Sequence, residues 1–195
     1  MHVTLFGSSF NPPHLGHSLV IQDFLESKLC DELWLLPTYQ HTFQKQLAPL
    51  EHRLVLTKLF LKILKKTVNH NNSTKIKLCP IEIDYKLSGS TFETLQTLSK
   101  EPDYITQNLK IPMSQIQNTK YSFLMGSDQL PHFHKWEHYK KLLNQMNFYV
   151  YPRTNYPLEP LKKGMIPFTH NQQIITNISS TMIRDRLATG YTTKN

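Results

Sequence analysis

Apolar residues along this chain fall into short runs that alternate with longer segments of helical spacing. Val3-Thr4-Leu5-Phe6 reads as a buried strand, and Leu19, Val20, Phe24, Leu25 and Leu29 follow at helical intervals. Leu33-Trp34-Leu35-Leu36 reads as a second strand, stopped by Pro37; Leu54, Leu56, Leu59, Phe60, Ile63 and Leu64 then mark a helix over 51–66. Segment 76–85 alternates through Ile76, Leu78, Ile81 and Ile83 and predicts a strand bent at Pro80. Ser90, with Glu93 three residues on, makes a capping box at the start of a helix continued by Leu95 and Leu98. Residues 100–119 are polar with no clear period, and predict a surface excursion or an irregular helix.

Tyr121–Met125 reads as a strand ending in Gly126-Ser127-Asp128, followed by a helix-like stretch to about Leu143 and the strand Phe148–Tyr151. Four prolines make 152–171 a loop, and Gln173–Thr176 is expected as a last short strand. Strands alternating with helices through short links predict an α/β fold: an open parallel sheet with helices on both faces.

The 195 residues suit one domain, 1–195, with a full core. Hydrophobic residues at 39% and charged residues at 18% are the balance of a globular protein. No apolar run approaches a membrane span and the N-terminus lacks a signal-peptide pattern, so the expected compartment is the cytoplasm. Cys30 and Cys79 fit a reduced compartment as buried apolar fillers, and supply neither a disulfide framework nor a zinc site. The net charge of +8 suits a polyanionic partner, either nucleic acid or nucleotide phosphates. Its lysines, such as Lys62, Lys65, Lys66, Lys75, Lys77, Lys140 and Lys141, are scattered, and no nucleic-acid-binding motif accompanies them. Most of this charge reads as solvated surface, and specific nucleic-acid binding is not expected.

Two stretches carry chemistry. Gly7-Ser8-Ser9-Phe10-Asn11-Pro12-Pro13-His14-Leu15-Gly16-His17 lies between the first strand and the first helix. That turn is where an open α/β sheet binds its ligand and where helix-terminal N–H groups face an anion. Glycine lets backbone approach phosphate, and His14 and His17 place two donors about one helical turn apart. The plainer alternative is a loop with two surface histidines. The second stretch is Ile178-Ser179-Ser180-Thr181-Met182-Ile183-Arg184. Its Ser and Thr residues are good N-caps, placing a helix start near 180. Arg184 and Arg186 in the opening turns oppose the helix dipole, a cost that a bound triphosphate reverses. The alternative there is an ordinary cap with an Arg184–Asp185 surface.

The two stretches resemble the GxFxPxHxGH and ISSTxxR signatures of the HxGH nucleotidyltransferase superfamily. Within it, nearly the whole chain resembles the nicotinate/nicotinamide mononucleotide adenylyltransferases. The resemblance implies a Rossmann-like sheet and adenylyl transfer from ATP to nicotinate mononucleotide, or also nicotinamide mononucleotide. Deamido-NAD or NAD and pyrophosphate are the products, and Mg²⁺ is held by the ATP phosphates rather than by a protein metal site. It implies His14, His17 and Arg184 as catalytic residues, His17 being the one tied to the α-phosphate. It places Gly7, Ser8, Ser9, Phe10, Gly16, Ser179 and Ser180 around ATP. Lys45 and Arg53 would address the mononucleotide phosphate, Thr91 the pyridine substituent, and Gly126 and Asp128 the ribose.

Trp136 would stack on the pyridinium ring, a favourable cation–quadrupole contact; read without the resemblance, it is a core tryptophan beside Phe133 and Tyr139. Asp128 also suits an N-cap, and Lys45 a solvated loop. His132, His134 and His138 do not share one helical face and read as surface. Histidines that gain charge on protonation predict a site sensitive near neutral pH.

The chain departs from its relatives in three places. Thr42-Phe43-Gln44-Lys45 stands where they often read PPHK, and Ser88-Gly89-Ser90-Thr91 lacks the tyrosine of their SYT. The resemblance further implies a C-terminal extension past the second stretch, and a domain that lacks it is the expectation for residues 1–195. Two alternatives stay open: another transferase of the same superfamily (pantetheine-phosphate adenylyl- or cytidylyl-), or a non-catalytic nucleotide- or RNA-binding relative. Intact His14, His17 and Arg184 weigh against the second.

Overall fold

A computed structural model describes residues 1–40, 47–67, 74–169 and 173–190. In chain order the elements are β1 (His2–Ser8), α1 (Leu15–Glu26), β2 (Glu32–Pro37), α2 (Leu50–Thr67), β3 (Lys75–Leu78), α3 (Ile81–Asp84), α4 (Thr91–Lys100), α5 (Pro102–Leu109) and α6 (Met113–Ile116). There follow β4 (Lys120–Gly126), a 3-10 helix (Ser127–Lys135), α7 (Tyr139–Gln145), β5 (Asn147–Tyr151), β6 (Met165–Pro167) and α8 (Ser180–Ala188). The six strands form one sheet in the order β3-β2-β1-β4-β5-β6, every pairing parallel.

Strand periodicity divides the core cleanly between the two faces of the sheet. Val3, Leu5, Trp34, Leu36, Phe123, Met125, Phe148 and Val150 point to one side, where they meet residues of α3, α4, α5 and α7. Phe6, Leu33, Leu35, Leu124, Tyr149 and Tyr151 point to the other, against Ile21, Phe24, Leu25, Leu61 and Leu64 of α1 and α2. Both faces being covered explains why the strands read as continuous apolar runs. The polar break in the pattern is a matched pair: Thr4 and Ser122 are register partners on β1 and β4, with hydroxyls 2.7 Å apart and buried.

Four local readings are corrected. The strand over 76–85 stops at Leu78, because Pro80 has no N–H for a ladder and its carbonyl instead takes the amides of Ile83 (2.9 Å) and Asp84 (3.0 Å), starting α3. Residues 100–119 hold two ordered helices, α5 with Pro102 in its first turn and α6 beyond Lys110, which ends α5 in a left-handed conformation (φ 56). The helix expected after Asp128 divides into the 3-10 helix, which contains Pro131, and α7, with His138 (φ 49) at the break. The last strand is Met165–Pro167, inside the proline-rich loop, whereas Gln173–Thr176 makes no ladder. Pairing with β5 decides this: Phe148 donates its N–H to Gly164 O (2.8 Å), and 165–167 then take the sheet edge.

The chain runs outward from β1 through β2 and β3, then crosses back to β4 on β1's other side. Connections therefore diverge at the carboxyl ends of β1 and β4. That crevice is where open α/β sheets bind ligands.

Candidate active site

At the carboxyl end of β1 the chain turns through Ser9–Pro13 and enters α1, whose N-cap is His14. His17 sits three residues into the helix, so one helical turn brings the two imidazoles together, ring centroids 3.9 Å apart. The His14 backbone N–H donates to His17 Nδ1 (3.2 Å), which leaves the ring proton on Nε2, 3.1 Å from Ser8 Oγ. Phe6, Phe10 and Phe60 surround His17, with Phe10 at 5.2 Å.

This apolar setting decides the charge state. Burial pushes His14 down to about 4, and the Arg153 charge adds to the effect. Burial, then His14, then Arg153 hold His17 well below its ordinary value. Both rings are thus neutral at pH 7, which moves the expected neutral-pH sensitivity to more acid conditions in the free protein. Phe10 does not border the cleft; it is buried under His17 with φ 43, a strained value for a bulky residue at a functional turn.

The second motif caps α8. Ser179 Oγ accepts the Met182 amide (3.2 Å), satisfying one of the helix's open N-terminal donors. Ser180 donates its hydroxyl to Pro12 O (2.8 Å), and Arg184 Nη1 donates to Asn11 O (2.7 Å). Two stretches 168 and 173 residues apart in sequence are thereby cross-linked. Gly16 permits the approach, because a Cβ there would lie 3.1 Å from Ile178 O and 3.0 Å from the His14 ring. Ser179, Ser180 and Thr181 border the cleft with His14, Gly16 and His17, while Arg184 stands behind them on the Asn11 carbonyl.

Across the cleft, β4 ends at Gly126 and Asp128 follows in the 3-10 helix. Asp128 accepts from Gln129 Nε2 (2.8 Å) and faces Arg153 Nε at 3.9 Å. Ser127 locks this corner: its hydroxyl donates to Tyr156 O (2.8 Å) and accepts the Arg153 amide (2.9 Å). Trp136 packs against Phe133, Phe123 and Phe148, with centroids at 5.0, 5.6 and 6.3 Å, and still borders the cleft. This tryptophan is therefore packed on the core and also exposed to the cleft. Thr91 begins α4 beside it, behind the N-cap Ser90.

Two phosphate contacts are expected toward the mononucleotide. Lys45 lies outside the described residues. Arg53 is 2% exposed and does not border the cleft. Its guanidinium donates to four carbonyls instead: Thr38 at 2.8, Ser9 at 2.9, Ala48 at 3.2 and Tyr39 at 3.3 Å. It clamps the loop after β2 onto the first motif: four of the five N–H groups of its fork go to carbonyls and the side chain is buried away from the cleft, unlike the phosphate contact expected of it.

Sequence reasoning also missed cleft residues, chiefly Arg153, Glu82 and Gln129. No motif marks them; a position immediately after a strand, as at Arg153, was the available signal.

The cleft encloses about 320 Å³, within the roughly 300–1,000 Å³ of small-molecule sites. Among the described residues bordering it, Arg153 carries the only fixed positive charge, against the carboxylates of Asp128 and Glu137 and the buried carboxyl of Glu82. The N-termini of α1, α4 and α8 also open on the cleft, and their N–H groups and dipoles suit an anion. Among the described residues no group of three or more His, Cys, Asp or Glu side chains is placed to hold a metal ion, and no helix is long and apolar enough to cross a membrane.

A family model for cytidylyltransferase-like proteins matches residues 5–186. The chain is 31% identical over 191 residues to the probable nicotinate-nucleotide adenylyltransferase of Myxococcus xanthus, covering 97% of this chain and 84% of that one. It is 28% identical to the protein so named in Flavobacterium johnsoniae, covering 97% and 88%. Its fold resembles that of Plasmodium falciparum nicotinic acid mononucleotide adenylyltransferase complexed with NaAD, with TM-score 0.64, 16% identity and coverage of 95% and 83%. A putative nicotinate-nucleotide adenylyltransferase from Vibrio parahaemolyticus matches with TM-score 0.60 and 19% identity, covering 97% and 82%. Motif order, the switch-point cleft and these likenesses agree: the chain belongs to the cytidylyltransferase-like family and, within it, to the nicotinate-nucleotide adenylyltransferases.

Proposed function

We propose that the protein transfers the adenylyl group of ATP to nicotinate mononucleotide, releasing pyrophosphate and forming deamido-NAD in NAD biosynthesis, with nicotinamide mononucleotide as a weaker acceptor. The observation that carries this reading is the meeting of the His14–His17 pair and the α8 N-terminus at one end of a cleft whose other end holds Trp136 and Thr91. A phosphate oxygen of the mononucleotide attacks the α-phosphorus while the bond to pyrophosphate breaks. The enzyme's task is to hold two anions in line and to stabilise the reacting oxygens.

His17 Nε2–H is the donor for the α-phosphate, kept in the right tautomer by the His14 amide. His14 and the Ser179–Thr181 turn cradle the β- and γ-phosphates. Arg184 supports that turn from the Asn11 side and supplies charge to the triphosphate. At the other end Trp136 stacks on the pyridinium, Thr91 meets its substituent, and Gly126 and Asp128 address ribose, with Arg153 offsetting the carboxylate. ATP would arrive as its Mg²⁺ complex, the metal held by phosphate oxygens, which suits a cleft with one fixed cation among its described residues.

The test is pyrophosphate release by purified protein with ATP and Mg²⁺, comparing nicotinate mononucleotide, nicotinamide mononucleotide and phosphopantetheine. Turnover is expected on nicotinate mononucleotide first. Turnover on phosphopantetheine alone, or on none of the three, overturns the reading.

A further inference from the structure

Among the described residues Glu82 is the buried carboxyl of the cleft wall that the reaction above does not use. It lies on α3, is 5% exposed, and borders the cleft beside Thr38, Gly89 and Thr91. Its Oε1 is 2.9 Å from Thr94 Oγ1, and that same hydroxyl is 3.1 Å from Ser90 O, the carbonyl of the α4 N-cap. A hydroxyl has one proton to give. If Thr94 donates to Ser90 O, the bond to Glu82 needs a proton from Glu82 itself. Glu82 Oε2 is buried with no hydrogen-bond partner, tolerable for a neutral carboxyl and costly for a carboxylate.

We propose that Glu82 is a positioning residue for the mononucleotide end of the cleft, working as a neutral acid that donates to Thr94 and ties the start of α4 to the loop after β2. The loop is within its reach: Thr38 borders the same wall, and the Tyr39 backbone N–H is near enough to pull the carboxyl's pKa down against burial. At Gly89 the 88–91 turn lies so close to that loop that a Cβ would collide with Gln40 O. Thr38 and Thr91, at the pyridine end, are therefore set by one junction beneath them.

The groups facing Glu82 agree with the neutral form. Burial raises it to about 7; Thr94 and the Tyr39 amide oppose this, and the Glu93 charge on α4 adds to it. The Cys79 thiol on the β3 side, pushed by burial to about 12, stays protonated and contributes no charge. Above neutral pH the carboxylate would claim the Thr94 proton, release Ser90 O and loosen the wall. This inference rests on the adenylyltransferase reading for its substrate.

The experiment compares wild type with Glu82→Gln, whose amide N–H₂ can replace the acid proton toward Thr94. The ratio of wild-type to E82Q KM for nicotinate mononucleotide should be near one at about pH 6 and rise roughly five-fold by about pH 8.5. The corresponding ratio for ATP should stay flat, and comparison at each pH cancels ionisation of the substrate phosphate. A mononucleotide ratio that does not change with pH overturns the proposal. Should E82Q fail to fold, Thr94→Val replaces it, with KM raised at every pH and the pH dependence gone; a T94V profile that still rises like wild type overturns the proposal as well.

Thermal melting keeps the two readings separable. A carboxyl raised from 4.5 to about 7 on folding stabilises below 4.5 and loses that contribution as pH rises through about 7. E82Q should therefore gain Tm relative to wild type across that window and level off above it. If neither mononucleotide is adenylated, the functional reading fails, and a Tm gap constant across the window removes the neutral acid too.

Discussion

The two ends of the cleft are built on opposite principles. The end with His14, His17 and α8 is assembled from helix starts: N-caps, a first-turn pair of rings, and side chains clamped to carbonyls of the facing motif. The end with Thr91 and Trp136 is held by buried groups, Arg53 under the loop after β2 and away from the cleft, and Glu82 in the wall beneath α4. A polyanion needs many donors, and helix termini supply them wherever the backbone turns. A flat ring needs a wall of fixed shape, and shape comes from packing and buried hydrogen bonds.

The largest effect expected from this division is at His17. Replacement by Ala should cost about 10²–10³ in kcat, the range for one preorganised donor to a reacting oxygen. Far-UV circular dichroism should be unchanged, and a folded mutant with near-wild-type kcat would move the chemistry elsewhere. Arg53→Ala should act on stability instead, by about 2–4 kcal/mol in urea unfolding, since it strands carbonyls that four donations now satisfy. Arg53→Lys should recover only part of this, because an ammonium cannot span the same fork. A stable Arg53→Ala protein whose only defect is mononucleotide KM would return this residue to phosphate binding.

Arg184→Ala should raise KM for ATP about ten-fold through a lost charge-assisted bond, and leave the mononucleotide KM unchanged. Equal effects on both substrates would show that the two ends are not independent. The smallest effect, and the sharpest comparison, is the sign of the pH dependence. His14 falls from 6.5 to about 4 on folding, so it favours the folded state above 6.5 and that contribution is lost as pH drops through about 4. Glu82 has the opposite slope over an overlapping window, its contribution being lost as pH rises through about 7. In melting series, His14→Gln should gain on wild type toward acid and E82Q toward neutral pH, each by about 2 °C or more. Slopes of the same sign would contradict the assignment of neutral forms to both groups.

Legibility in the sequence follows the same line. Strands β1, β2, β4 and β5 were visible because burial on both faces leaves unbroken apolar runs. The caps at Ser90 and Ser179 were visible because a cap is a property of three or four consecutive residues. The capping box itself formed only in half: Ser90 Oγ accepts the Glu93 amide at 3.4 Å, but the Glu93 carboxylate turns to Ser88 instead. Gln173–Thr176 read as the last strand and Met165–Pro167 as part of a proline-rich loop, and only pairing with β5 reversed that order.

The alternation of elements, the two motif-bearing turns and their order along the chain could be read from sequence, because each is encoded within a few neighbouring residues. Tertiary structure alone decided that Arg53 serves carbonyls, that Arg153 joins Asp128 at the cleft, that the histidines are neutral and that Glu82 keeps its proton. Those outcomes depend on burial and on partners brought together from distant positions, and a side chain's charge, unlike its helix propensity, is set by what surrounds it after folding.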